Sequence, residues 1–219
     1  MLYITSDLQA RVNALDGKHT LDVDGMSGPA TRAAVKAVMV RLGLEREKDL
    51  FDSSGLHRIN WHWTAGLKVP SSLDKKHYND LFDYQGNQYD GGARPEHQAN
   101  YNWRKGIGVS HTRNCNTGVI GMAVCGMHEA QGWPSVVWGN NPITWEGIDA
   151  MLERSAMYSK KFWIPCTPWS MMTHAEVQET MGIQQKNKWD YMILPGDDSV
   201  RSARETGDIL RKRLVDKFQ

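Results

Sequence analysis

Apolar positions along the chain follow two spacings, and each predicts a different kind of element. Leu8, Val12 and Leu15 lie on one stripe of a short helix that Gly17 can end. Val35, Val38, Met39 and Leu42 repeat the helical spacing behind Pro29, which suits a first turn with Ser27 or Gly28 as its cap. The loop Asp22-Val23-Asp24-Gly25-Met26-Ser27-Gly28 separates the two stripes. Two helices around a Gly-rich loop bury little surface, so this part reads as an appendage. Glu45-Arg46-Glu47-Lys48-Asp49 is charged and has no apolar period, which makes it the linker candidate.

Beyond the linker the texture changes. Arg58-Ile59-Asn60-Trp61-His62-Trp63 alternates and is rich in aromatics, a strand signature that Thr64-Ala65-Gly66 ends. Val119-Ile120-Gly121-Met122-Ala123-Val124-Cys125 is continuously apolar between Gly118 and Gly126, as a central strand buried on both faces requires. Ile148, Met151, Leu152, Tyr158 and Phe162 share one face of a long helix that starts near Thr144 and is stopped by Pro165. Ile209, Leu210, Leu214 and Phe218 form another helical stripe within residues 199–218. Residues 85–113 are rich in Gly, Asn and Gln and read as long surface loops, where binding groups often sit. Strands mixed with helices predict an α/β layer fold.

A chain of 219 residues has room for one full domain and a small module, and not for two large domains. Its 40% hydrophobic and 23% charged residues exclude wholesale disorder, a collagen-like repeat and a membrane bundle. No stretch approaches the roughly 18 apolar residues that span a bilayer. Lys and Arg total 26 against 25 Asp and Glu, so the formal charge of +1 offers no global attraction for nucleic acid or an anionic membrane. Cys115, Cys125 and Cys166 are odd in number and widely spaced, which fits reduced, partly buried thiols better than a disulfide framework or a cysteine-only zinc cluster. Met1-Leu2-Tyr3-Ile4-Thr5-Ser6-Asp7 has neither a basic leader nor an apolar run. The expectation is a protein without a secretory signal that stays in the cytosol unless something else releases it.

The eight histidines form no His-Glu-x-x-His pair, so the common helical zinc protease signature is absent. What remains is His62 at the end of a predicted strand, His174 within Met171-Met172-Thr173-His174-Ala175-Glu176-Val177, and Asp190 within Asn187-Lys188-Trp189-Asp190. A catalytic zinc takes three protein ligands and leaves a fourth position for water or substrate, so two histidines and one aspartate would suffice. Their wide separation in sequence leaves open whether they meet.

Four segments resemble, in order and context, the zinc-dependent N-acetylmuramoyl-L-alanine amidases: Ile59-Asn60-Trp61-His62-Trp63-Thr64-Ala65, Ser110-His111-Thr112 with Ile120-Gly121-Met122, Thr173-His174-Ala175-Glu176, and Lys188-Trp189-Asp190. That family includes phage lysozyme-like amidases, a cytoplasmic anhydro-muropeptide amidase and the peptidoglycan recognition proteins. The resemblance spans roughly residues 58–195. It implies a central mixed β-sheet flanked by helices, with Zn2+ in a groove on one side, held by His62, His174 and Asp190. It further implies catalytic roles for Lys188, two residues before the third ligand, and for Tyr78 in His77-Tyr78-Asn79-Asp80. The recycling branch carries a Glu where Ala123 stands, which points to the Tyr78 and Lys188 version. The span from His174 to Asp190 is longer than in the short phage enzymes, with residues 178–187 forming a loop. Two roles stay open for Glu176, a partner orienting His174 or an exposed strand-end carboxylate. Two also stay open for His111, which could meet substrate or make a loop hydrogen bond. Trp61, Trp63 and Trp189 neighbour the expected ligands and could shape the site, with core packing the better reading for at least two.

Residues 22–35 are similar to the Val-Asp-Gly-x-x-Gly-Pro-x-Thr repeat of small helical peptidoglycan-binding domains. Together the resemblances imply a helical peptidoglycan-binding-like module over residues 1–45, a linker over 46–56 and a zinc amidase domain over 57–219. The implied activity is hydrolysis of the amide between N-acetylmuramic acid and L-alanine. The implied partner is bacterial peptidoglycan, with no nucleic acid, no stable membrane insertion and a monomeric state. The combination looks like a phage endolysin that waits in the host cytoplasm and reaches the wall through a separate membrane pore. The alternatives are a peptidoglycan-binding protein without activity and a cytoplasmic muropeptide-recycling amidase.

Overall fold

The computed structural model describes residues 4–16, 21–42, 44–51, 55–132 and 135–218. Its centre is one mixed sheet of β1 (Arg58–Trp63), β2 (Asp80–Phe82), β3 (Gln88–Asp90), β4 (Val119–Val124) and β5 (Met171–Thr173), in the order β3-β2-β4-β1-β5. β1 runs parallel to both neighbours, with Trp61 opposite Met122 on β4 and Thr173 on β5, and only β3 is antiparallel to its partner. The fold is α/β, with helices flanking the sheet.

The predicted alternation of β1 sorts its side chains onto two buried faces. Ile59, Trp61 and Trp63 enter the main apolar core with Ile120, Met122 and Val124 of β4. Asn60 and His62 point the other way, where they meet Thr112 and His174. The core face is closed by α4 (Trp145–Phe162), whose Ile148, Met151, Leu152, Ala156 and Phe162 are buried. Burial of each such side chain contributes about 1.5–3 kcal/mol. Thr144 caps α4 by accepting the Gly147 N–H at 3.2 Å, and the helix ends at Trp163, which turns into the left-handed region at φ 55°. Ser155 lets this helix cover a tryptophan without stranding a polar atom, because its hydroxyl accepts the Trp61 indole N–H at 2.9 Å. The terminal helix α6 (Ala203–Phe218) packs beside α4, and its first turn is capped by Ser202, whose hydroxyl accepts the Glu205 N–H at 3.2 Å.

The first two helices are α1 (Thr5–Asp16) and α2 (Pro29–Leu42); the expected stop at Gly17 lies outside the described residues. They bury Leu8, Val12, Ala34, Val35 and Val38 in a cluster of their own, completed by Leu50 and Phe51. The charged run before Leu50 therefore leads into a short 3-10 turn (Glu47–Leu50) anchored in that cluster. Gln9 organises the loop between the helices, accepting the Gly25 N–H at 2.9 Å and donating to Asp24 Oδ1 at 2.7 Å. Contacts that join this part to the sheet layers include an Asp7–Arg58 ion pair at 2.5 Å, Arg11 donating to Trp163 O at 2.6 Å, and Trp169 donating to Val23 O at 3.1 Å.

Several short elements are absent from the periodicity reading. They are α3 (Ser72–His77), β2, β3 within the segment read as loops, β5, and α5 (Glu176–Met181). The three cysteines are free, with Cys115 and Cys125 buried. Among the described residues no helix is long and apolar enough to cross a membrane.

Candidate metal centre

The carboxyl ends of parallel strands in an open α/β sheet are where ligands commonly bind, and the predicted metal residues gather there. His62 is near the end of β1 and points away from α4. His174 follows β5 directly, and its N–H donates to Trp61 O at 2.9 Å, which extends the ladder and sets the two imidazoles side by side. Asp190 arrives from the loop after α5. Trp63 N–H donates to its Oδ1 at 3.2 Å, and the next residue, Tyr191, donates its hydroxyl to His62 O at 2.6 Å, so the loop is pinned to the end of β1. Trp189 packs edge-on against Trp63 with ring centroids 4.7 Å apart. One ligand atom each from His62, His174 and Asp190 lies within 4.8 Å of the other two, and all three residues are buried.

The surrounding hydrogen bonds determine which ring nitrogens are bare. His111 Nε2 sits 3.1 Å from the Val119 carbonyl, which can only accept, so that nitrogen carries the proton and His111 Nδ1 is a lone pair. Thr112 Oγ1 at 2.8 Å and His62 Nε2 at 3.2 Å both face that lone pair, and with His62 donating there its Nδ1 is bare. On the other side His174 Nε2 faces Gln185 Oε1 at 3.1 Å, so His174 donates there and its Nδ1 is bare as well. The two bare Nδ1 atoms face each other at 2.9 Å. Lone pairs at that separation repel unless a cation lies between or beside them.

Burial shifts all three groups toward their neutral forms. Burial pushes His62 well below the ordinary imidazole value, helped by His174, His111 and Lys188. His174 is lowered by burial too, against the pull of Asp190 and the Gln185 hydrogen bond. Burial raises the Asp190 carboxyl, opposed chiefly by His174, and Asp190 forms no ion pair among the described residues. Two neutral imidazoles and one carboxylate form a donor set of the kind that holds a divalent ion such as zinc, whose ligands at about 2.0–2.2 Å stand about 3.3–3.5 Å apart. The three residues could hold a metal.

The other expected site residues divide. Tyr78 caps α3 and its ring lies 5.2 Å from the His62 ring. Burial, then the charge of Asp190, pushes its phenol above the ordinary range. Lys188 is exposed, yet its charge acts on His62, His174 and Asp190. His111 is buried, with Nδ1 3.2 Å from His62 Nε2 and 2.8 Å from Thr112 Oγ1, and Nε2 3.1 Å from Val119 O. Gly121 makes this possible, since a Cβ there would lie 2.3 Å from the His111 ring. Neither role left open for Glu176 is observed. Its carboxylate is fully buried, accepts from Thr173 N at 2.9 Å and is paired with Arg211 at 2.8 Å, so it makes no hydrogen bond to His174 and instead ties α6 to β5. The candidate metal group found among the described residues does not include Cys125, whose thiol burial pushes up to about 12. The residue that sequence reasoning missed is Gln185, because its contact with His174 depends on the path of a loop with no periodic signal.

No family model matches the sequence, and no curated protein matches it. Among solved structures, N-acetylmuramoyl-L-alanine amidase LysC from Clostridium intestinale URNW is similar, with 13% identity and a TM-score of 0.43 over 74% of this chain and 89% of that chain.

Proposed function

We propose that this chain is a zinc-dependent N-acetylmuramoyl-L-alanine amidase that cuts bacterial peptidoglycan. The observation that carries the reading is the convergence of two imidazole Nδ1 atoms and a buried carboxylate at His62, His174 and Asp190. The four ordered sequence segments that resemble the amidase family support it. Zn2+ held by these three residues would supply Lewis acidity toward the amide carbonyl and a nucleophilic water near neutral pH.

The chain's own groups account for the remaining work. Lys188 offers a positive charge to the oxyanion that develops as the amide carbon becomes tetrahedral, and a preorganised donor of this kind contributes about 3–4 kcal/mol. Tyr78 stays protonated at neutral pH, since burial raises its phenol, and so acts as a hydrogen-bond donor rather than a base. His111 keeps the His62 ring in one tautomer. In this reading residues 1–45 serve as the wall-binding module, 46–56 as the connection and 57–219 as the amidase domain. The enzyme acts as a phage endolysin that leaves the host cytoplasm through a separate membrane pore.

Purified, zinc-loaded protein is expected to release free L-alanine amino termini from intact isolated peptidoglycan. A preparation with stoichiometric zinc that releases none refutes the activity. Faster turnover of soluble anhydro-muropeptides than of sacculi would identify a recycling enzyme instead.

A further inference from the structure

Gln185 has its side-chain amide committed at both ends. Its Nε2 donates to Arg113 O at 3.0 Å and lies 3.4 Å from Ile183 O. Both partners are carbonyls, so the nitrogen belongs on that side and Oε1 is the atom that faces His174 Nε2 at 3.1 Å. The backbone N–H of Gln185 in turn donates to Gln178 Oε1 at 3.0 Å. One residue thus joins three segments. Arg113 follows His111 and Thr112, which contact the His62 ring. Gln178 belongs to α5, which begins two residues after His174. The loop then continues from Gln185 into Lys188, Trp189 and Asp190.

We propose that Gln185 is a positioning residue of the metal centre: it holds His174 as the tautomer whose Nδ1 is free, and straps the segment leading to Asp190 to the one that carries His174 and to the Arg113 segment whose neighbours contact the His62 ring. The proposal rests on the metal reading given above. It assigns a purpose to the segment 182–187; the expected loop over 178–187 is in fact helical through Met181, as part of α5. It also explains the choice of side chain. An amide oxygen orients the imidazole without adding charge, so the donor set keeps a single negative charge from Asp190. The amide nitrogen reaches the Arg113 carbonyl, which a carboxylate could not satisfy.

The test compares wild type with Gln185→Leu and Gln185→Glu by two measurements. One is zinc affinity by competition with a chromophoric chelator. The other is the tautomer of His174 in metal-free protein by long-range 1H–15N NMR, its signal assigned by loss in His174→Ala. Wild type is expected to show His174 with the proton on Nε2, and a predominantly Nδ1–H signal overturns the proposal without any variant. Gln185→Leu is expected to weaken zinc about 10–100-fold and to mix the two tautomers, because the acceptor is gone. Gln185→Glu keeps the acceptor for His174 but loses the donor to Arg113 O, and is expected to retain the Nε2–H form and to weaken zinc less than Gln185→Leu does. Wild-type affinity in Gln185→Leu, or an equal loss in both variants, overturns the positioning role, the second because it points to packing alone. Should wild type take up no zinc, the metal reading itself falls, while the metal-free spectra still decide whether Gln185 sets the tautomer.

Discussion

Replacing Asp7 with alanine is expected to destabilise the sheet layers and the first helix together. Arg58 opens β1, and its side chain is 3% exposed against 1% for Asp7, with the two groups 2.5 Å apart. Burial pushes the Asp7 carboxyl up against the pull of Arg58, so desolvation offsets much of the pair's attraction and the intact pair contributes little net stability. Removing one partner is another matter. Arg58 would keep Trp169 O at 2.8 Å and a weak Cys115 Sγ contact at 4.0 Å, with no counter-charge for a buried guanidinium. Breaking a buried pair in this way costs about 3–5 kcal/mol. For a chain of this size, at about 2–4 °C per kcal/mol, that lowers the melting temperature by about 6–20 °C. Thermal and urea unfolding of Asp7→Ala, followed by far-ultraviolet and tryptophan signals, give the measurement. A loss below about 1 kcal/mol would refute the burial argument and detach α1 from the sheet energetically. The double variant Asp7→Leu with Arg58→Met is expected to return to within about 2 kcal/mol of wild type, since apolar replacements remove both desolvation costs. A double variant as weak as the single one would count against the same reasoning.

Three other outcomes follow from individual residues. His57 is pushed by burial from 6.5 down to about 3, so between those values the folded chain binds fewer protons than the unfolded chain, and stability falls with acid by about 1.4 kcal/mol per pH unit from this ring. His57→Phe should reduce the acid limb of a stability-against-pH curve by one proton, and an unchanged slope would contradict this. Gly121→Ala would drive a Cβ to 2.3 Å from the His111 ring, costing about 1–3 kcal/mol and weakening zinc retention through His62; normal stability and normal metal content together would show the contact is unimportant. Lys188→Ala should preserve fold and zinc content while lowering turnover about 100–1,000-fold, and a fully active variant removes the lysine from the mechanism.

Much of the framework is written locally in the chain. β1, β4, α4 and α6 could be read from the sequence because each is long enough to express its period, as the six alternating residues from Arg58 or the stripe from Ile148 to Phe162 do. The pairs and motifs around His62, His174, Lys188 and Asp190 were readable too, because a resemblance in order and context does not require knowing where segments lie in space. β2, β3 and β5 have three residues each, too few to display alternation, and exist because the ladder supplies their hydrogen bonds. Glu176 shows the same limit from the other side. Next to His174 in sequence, it turns to Arg211, 35 residues away, because a buried carboxylate needs a charged partner more than a neighbour needs orienting. The partners of the imidazoles, Val119 O for His111 and Gln185 Oε1 for His174, are contacts that no local pattern encodes. The sequence by itself determined the longer strands and helices and singled out the candidate side chains. Only the tertiary structure decided which hydrogen-bond partners those side chains meet, since that depends on distances between segments that come together on packing.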